Sequence, residues 1–209
     1  MATLVVGDVH GCADELRALL ASVRPDRVVM VGDLFTKGPD PVGVYDQVRD
    51  HEVVIGNHDD RLLQVLDGER RRDVHAQVVV ASLDARDRGW RRWLGTRPLT
   101  VQAGPFTVVH AALHPSGDPA QTDRHTATYL RRYEHQARGL RWWADYRGET
   151  PVIFGHDAIR GLVRVERNGR PWVVGLDSGC VYGGFLSGYV VEEDRVVSVR
   201  ARRVYRNPG

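Results

Sequence analysis

The chain has 209 residues, 42% of them hydrophobic and 27% charged, enough to bury a sizeable core. A formal net charge of +2 argues against general nucleic-acid binding, two cysteines against a disulfide framework, and no run approaches the roughly 18 apolar residues of a membrane span. The start, MATLVVGDVHG, has no basic n-region, so the expectation is a reduced, cytoplasmic protein with no membrane partner and no stable nucleic-acid complex.

TLVVG (3–7) is an apolar run ending in glycine and predicts a buried strand. ADELRALLASV (13–23) sets Leu16, Leu19, Leu20 and Val23 on one helical face, with Asp14 and Glu15 at the helix start. RVVMVG (27–32) predicts a second strand, residues 40–50 a helix with Pro41 in its first turn, and EVVIGN (52–57) a third strand. This βαβαβ order predicts a parallel sheet. Residues 59–95 read as helices. LTVQAG and FTVVHAAL read as two strands turning at Gly104-Pro105. Residues 115–148 read as polar, helical and rich in Arg and aromatics, and PVIFGH (151–156) as another strand. Two hairpins close the chain, the first around Asn168-Gly169. The expected organisation is one α/β domain over residues 1–209, two-layered or sandwiched, with helical insertions at about 59–95 and 115–148. Basic clusters at 69–73, 90–93 and 129–133 read by default as solvated helix faces, or else as a local field for an anionic substrate.

The chemistry sits just past the strands. GDVHG (7–11), GD (32–33), GNHD (56–59), VH (109–110) and GHD (155–157) each follow an apolar run. Ligands in open α/β sheets bind beyond the carboxyl ends of strands, so these segments aim Asp, His, Asn and His at one rim. Carboxylate and imidazole donors suit manganese, iron or zinc. Two divalent ions about 3.5–4 Å apart can clamp a phosphoryl group if a ligand bridges them, and Asp33 is the candidate bridge. Each fragment alone is weak; the ordered set is specific. His51, His75, His114, His125 and His135 fall outside it and read as surface or insertion residues.

With these motifs, the sequence resembles the calcineurin-like metallophosphoesterases, and within them the phosphoprotein phosphatase branch that includes symmetrical diadenosine tetraphosphatases of the ApaH type. GLDSGCVYGGFLSGY (175–189) carries a further likeness to the latter. The resemblance implies a central β-sandwich flanked by helices. It implies two divalent ions, manganese ahead of cobalt, iron, zinc and magnesium. Asp8, His10 and Asp33 would hold one, and Asp33, Asn57, His110 and His156 the other, with His58 as general acid at the leaving oxygen. The expected reaction is hydrolysis of diadenosine tetraphosphate to two ADP, and of other nucleoside polyphosphates; the alternative is a protein serine/threonine or tyrosine phosphatase acting on a phosphoprotein.

The departures carry information. Thr36 stands where the branch commonly has an aspartate behind the catalytic histidine, Lys37 where it has a phosphate-gripping arginine, and Ala112 where it has glycine. An aspartate raises a histidine's pKa, which helps most when a basic alkoxide leaves. A nucleoside phosphate leaves easily, since its second pKa is about 6, so Thr36 favours phosphoanhydrides. Lys37 replaces a two-pronged grip with a point charge. Lys37, Arg61 and Tyr182 are the candidate substrate contacts. Trp142 and Trp143 read as core, with adenine stacking as the alternative, and Cys12 and Cys180 as buried free thiols.

Overall fold

The structure is a computed structural model that describes residues 1–71 and 73–207; Arg72 of the basic run 69–73 and the last two residues of the expected 1–209 span lie outside the described residues. β1 (Thr3–Val6), α1 (Ala13–Val23), β2 (Arg27–Met30), α2 (Pro41–Val48) and β3 (Glu52–Val53) open the chain. The three strands pair in parallel, as the βαβαβ order predicts. α2 starts at Pro41, whose ring presets the first turn, and the Asp40 carboxylate accepts from the Gly43 N–H.

α3 (Asn57–Leu66), α4 (Val74–Arg86) and α5 (Trp90–Gly95) fill the helical stretch expected from residue 59. β4 (Thr100–Ala103) and β5 (Phe106–Val109) then form a hairpin over Gly104. Residues 115–148 are less helical than expected. They hold α6 (Arg124–Tyr129) and 3-10 turns at Pro119–Gln121 and Trp142–Asp145, and are otherwise irregular. Gly117 and Gly139 there adopt left-handed φ, which ends a helix. β6 (Val152–Phe154), β7 (Val163–Arg167), β8 (Arg170–Gly175), β9 (Phe185–Val190) and β10 (Arg195–Arg200) follow. The β7–β8 turn has Asn168 and Gly169 both left-handed, at φ 54° and 70°, as a two-residue hairpin loop requires.

The strands form two mixed sheets, ordered β10-β9-β1-β2-β3 and β4-β5-β6-β8-β7. Side-chain alternation shows how they pack. Val5, Val29 and Tyr189 from the first sheet meet Val108, Ile153 and Val174 from the second in one cluster between the sheets. The alternate residues Leu4, Val6, Val28 and Met30 pack outward against α1, α2, α4 and α5. Val109, Val152, Phe154 and Val173 pack outward under residues 113–146. Trp142 belongs to that outer cluster: it is 1% exposed and lies edge-on to Tyr146 and Phe154. Trp143 packs beside it, so both tryptophans are core rather than adenine platforms. The fold is therefore a β-sandwich with outer layers on both faces, and the parallel triplets β1-β2-β3 and β5-β6-β8 end along one edge of it.

Candidate active site

Each parallel strand delivers a polar group just past its last residue. β1 leads to Asp8 and His10, β2 to Asp33, β3 to Asn57 at the head of α3, β5 to His110 and β6 to His156. The turns that follow are tight. His10, Asp33, Lys37 and His156 have φ of 47°, 55°, 73° and 70°, in the left-handed region that side chains avoid. Such backbone persists where surrounding contacts over-determine it. At Asp33 the contact is Asp59, whose buried carboxylate accepts from Asp33 N–H at 2.7 Å, Leu34 N–H at 3.0 Å and Gly56 N–H at 3.2 Å.

The six residues converge. One oxygen of Asp33 lies 3.6 Å from His10 Nε2 and the other 3.6 Å from His110 Nε2, so this carboxylate faces two groups of donors at once. His10 Nε2 is also 4.0 Å from Asp8. Asn57 Oδ1 sits 2.9 Å from His110 Nε2 and 3.0 Å from His156 Nδ1. The His110 ring donates its Nδ1–H to the Val31 carbonyl at 2.8 Å. With that proton placed, and burial keeping the ring neutral, Nε2 turns a lone pair toward Asn57 Oδ1, which also carries lone pairs. Two acceptors pointed at a common space call for a cation, and a histidine oriented by a carbonyl at its far nitrogen is the usual partner of a bound metal. His10 Nδ1 and His156 Nε2 are buried with no hydrogen-bond partner among the described residues.

Electrostatics points the same way. Burial, then Asp177 and Asp33, push the Asp8 carboxyl well above its usual range. Asp33 is buried too, yet His110, His58, His10 and Lys37 hold it below its usual range, so it stays ionised. Burial, then Lys37 and Arg61, bring His58 down to about 4 against the pull of Asp33. These donors fit divalent ions: oxygen and imidazole nitrogen, two carboxylates and neutral rings, grouped as Asp8–Asp33–His110 and His10–Asp33–His58 among the sets near enough to share one ion.

Glycine makes room for the carboxylates. A Cβ on Gly155 would stand 2.0 Å from Asp8 Oδ1, and one on Gly56 would stand 2.2 Å from Asp33 Oδ1. Gly155→Ala is therefore expected to displace Asp8 and lower metal affinity at least about tenfold, measured by competition with a fluorescent chelator. Unchanged affinity would remove Asp8 from the ligand set.

The site opens into a cleft of about 540 Å³. Lys37, Arg61 and Tyr182 line it, as do His58 and the proposed ligands except the fully buried His110. Lys37 Nζ lies 3.0 Å from His10 Nε2 and 5.5 Å from the Tyr182 ring, and the Arg61 guanidinium lies 5.4 Å from the Tyr129 ring. Several lining or supporting residues were missed by the strand-end reading. Asp177 follows β8 in the same way that His156 follows β6, and burial raises it to about 6. Arg131, from the basic run 129–133, also lines the cleft; it is held by Asp157 at 3.5 Å and the His156 carbonyl at 3.4 Å.

His75 lies in α4 of the helical insertion, as expected, and also has a role at the site. It is a half-buried acceptor: Lys37 N–H donates to its Nε2 at 2.6 Å, which holds the strained Lys37 turn. Burial, with Arg206 nearby, lowers the His75 pKa below 6.5, against the pull of Asp73. As pH falls, the unfolded chain takes up this proton first, so the bond's stabilisation is complete above about pH 6.5 and is lost as pH drops through the folded-state value. The stability difference between the parent and His75→Ala should be about 1 kcal/mol at high pH and shrink toward zero in acid, read by thermal melts across pH. A difference that grows in acid would contradict this.

Comparisons with known proteins place the chain in a family. The calcineurin-like phosphoesterase family matches over residues 1–184. A protein of Aromatoleum aromaticum named symmetrical bis(5'-nucleosyl)-tetraphosphatase is 30% identical, over 96% of this chain and 97% of its own. One of the same name from a Janthinobacterium strain is 27% identical over 100% and 99%. The crystal structure of a candidate diadenosine tetraphosphatase superposes with a TM-score of 0.81 at 31% identity, covering 96% of this chain and 93% of that one. Sandwich, strand-end donors and sequence together establish that the chain belongs to the calcineurin-like phosphoesterase family.

Proposed function

We propose that the chain is a dinuclear-metal-dependent phosphohydrolase that cleaves diadenosine tetraphosphate into two ADP and accepts other nucleoside polyphosphates. The observation that carries this reading is the cleft itself: Asp33 facing two donor groups, ringed by Lys37, Arg61 and Arg131. A ring of cations around paired donor sets suits a chain of phosphates better than a single phosphate ester. The relatives named as symmetrical tetraphosphatases support the same substrate.

Asp8, His10 and Asp33 would hold one ion, with Asp33, Asn57, His110 and His156 holding the second, and manganese is the resident metal we assign. When bound, the ions supply Lewis acidity toward phosphoryl oxygen and acidify water. Lys37, Arg61 and Arg131 orient the phosphate chain and offset its charge. His58, neutral at physiological pH, offers one N–H to the leaving oxygen. Thr36 leaves the ring without the aspartate that would raise its pKa and keep it protonated, and a departing ADP does not need one. We place this activity in the cytoplasm, on a small-molecule substrate. Turnover of diadenosine tetraphosphate against a phosphoserine peptide, with manganese, tests the reading. A dinucleotide preference of at least about 10²-fold in kcat/KM is expected, and a peptide preference would overturn it.

A further inference from the structure

A second cleft, about 780 Å³, runs on from the catalytic one. The two share a wall made of Lys37, His58, Arg61, Arg131 and Tyr182. Beyond that wall none of the proposed metal ligands line the second cleft among its described residues. Instead it gathers Arg70 and Arg71 from the loop after α3, and Arg206 from the chain end. Counting the shared wall, six cationic side chains face the single carboxylate of Asp73, which already caps α4 by accepting from the Ala76 N–H at 2.7 Å. Arg61 Nε is buried with no partner among the described residues. Leu62, Val65 and the 76%-exposed Val74 give the same cleft an apolar stretch.

Arg206 is deliberately anchored. Buried Glu15 in α1 accepts from Arg202 N–H at 2.9 Å and from the Tyr205 hydroxyl at 2.7 Å. The Tyr205 and Arg206 N–H groups then both donate to the Val181 carbonyl, at 3.1 and 3.0 Å. Residues 202–206 are thereby folded back along the GCVYGG segment and held at the cleft.

We infer that this second cleft binds the departing nucleoside diphosphate half of the substrate. A cationic strip next to an apolar stretch matches a diphosphate joined to a base. The direction follows from His58: a group that donates a hydrogen bond to the leaving oxygen must stand between the reacting phosphorus and the leaving half. His58 stands on the wall between the two clefts, so the leaving half continues past it to Arg70, Arg71 and Arg206. This inference rests on the proposed dinucleotide activity.

The test compares the manganese-loaded enzyme with Arg206→Ala and with the double variant Arg70→Ala/Arg71→Ala. Diadenosine tetraphosphate and p-nitrophenyl phosphate are the two substrates, and ADP is the inhibitor. Each variant should lower the dinucleotide-to-nitrophenyl ratio of kcat/KM about tenfold, mainly through KM, and raise the ADP inhibition constant about tenfold. Arg206→Lys should recover part of the loss. An unchanged ratio overturns the assignment, and so does an equal fall on both substrates, which would mark the arginines as structural. If the unmodified enzyme makes no ADP from the dinucleotide, the proposed function fails instead.

Discussion

Asp33→Asn is expected to lower kcat/KM on diadenosine tetraphosphate by about 10³-fold or more, a loss of about 4 kcal/mol at the transition state. The substitution is nearly isosteric. An asparagine oxygen can still accept from the His58 backbone N–H, as Asp33 Oδ1 does at 2.8 Å, so the turn and the head of α3 should survive. What disappears is the negative charge between two donor groups. Asp33 is the one carboxylate that His10, His58, His110 and Lys37 hold ionised against burial, and it is within 3.6 Å of rings on both sides. Without it, metal content measured by mass spectrometry should fall from about two ions per chain to fewer than one. A folded variant with full activity would show that Asp33 does not join the two half-sites.

His58→Ala has the second-largest expected effect, and its size should depend on what leaves. Loss of a positioned proton donor costs about 10²- to 10⁴-fold. Burial holds His58 down at about 4, so at neutral pH the ring offers the leaving oxygen a hydrogen bond, which helps a good leaving group least. We expect about 10²-fold on the dinucleotide. On phenyl phosphate, whose phenol has a pKa near 10, the loss should approach 10⁴-fold. Equal losses on both substrates would mean that His58 positions the phosphate chain rather than stabilising charge on the leaving oxygen.

Strands and their order were readable in the sequence because a short apolar run closed by glycine has few other uses. Sheet partition was not. In VVMV both faces of the strand are apolar, since Val29 and Val31 pack between the sheets while Val28 and Met30 pack against helices. Periodicity cannot separate two buried faces, so the sandwich came from family resemblance. The donor residues were legible because each follows its strand within a few positions. Asp177 obeys the same rule after β8, and the rule applied there would have found it. His75 and Glu15 could not be read this way. Their partners, Lys37 N–H and the 202–205 segment, are brought to them by tertiary packing over long stretches of chain. Arg131 lay inside a basic run whose default reading was a solvated face; the Asp157 carboxylate turns it toward the cleft instead.

Hydrolysis in oxygen-18 water, with products resolved by mass spectrometry, tests the central claim most directly. Attack on an inner phosphorus of diadenosine tetraphosphate should yield ADP as the sole nucleotide product, half of it carrying one oxygen-18. AMP with ATP, or label in free inorganic phosphate, would contradict it.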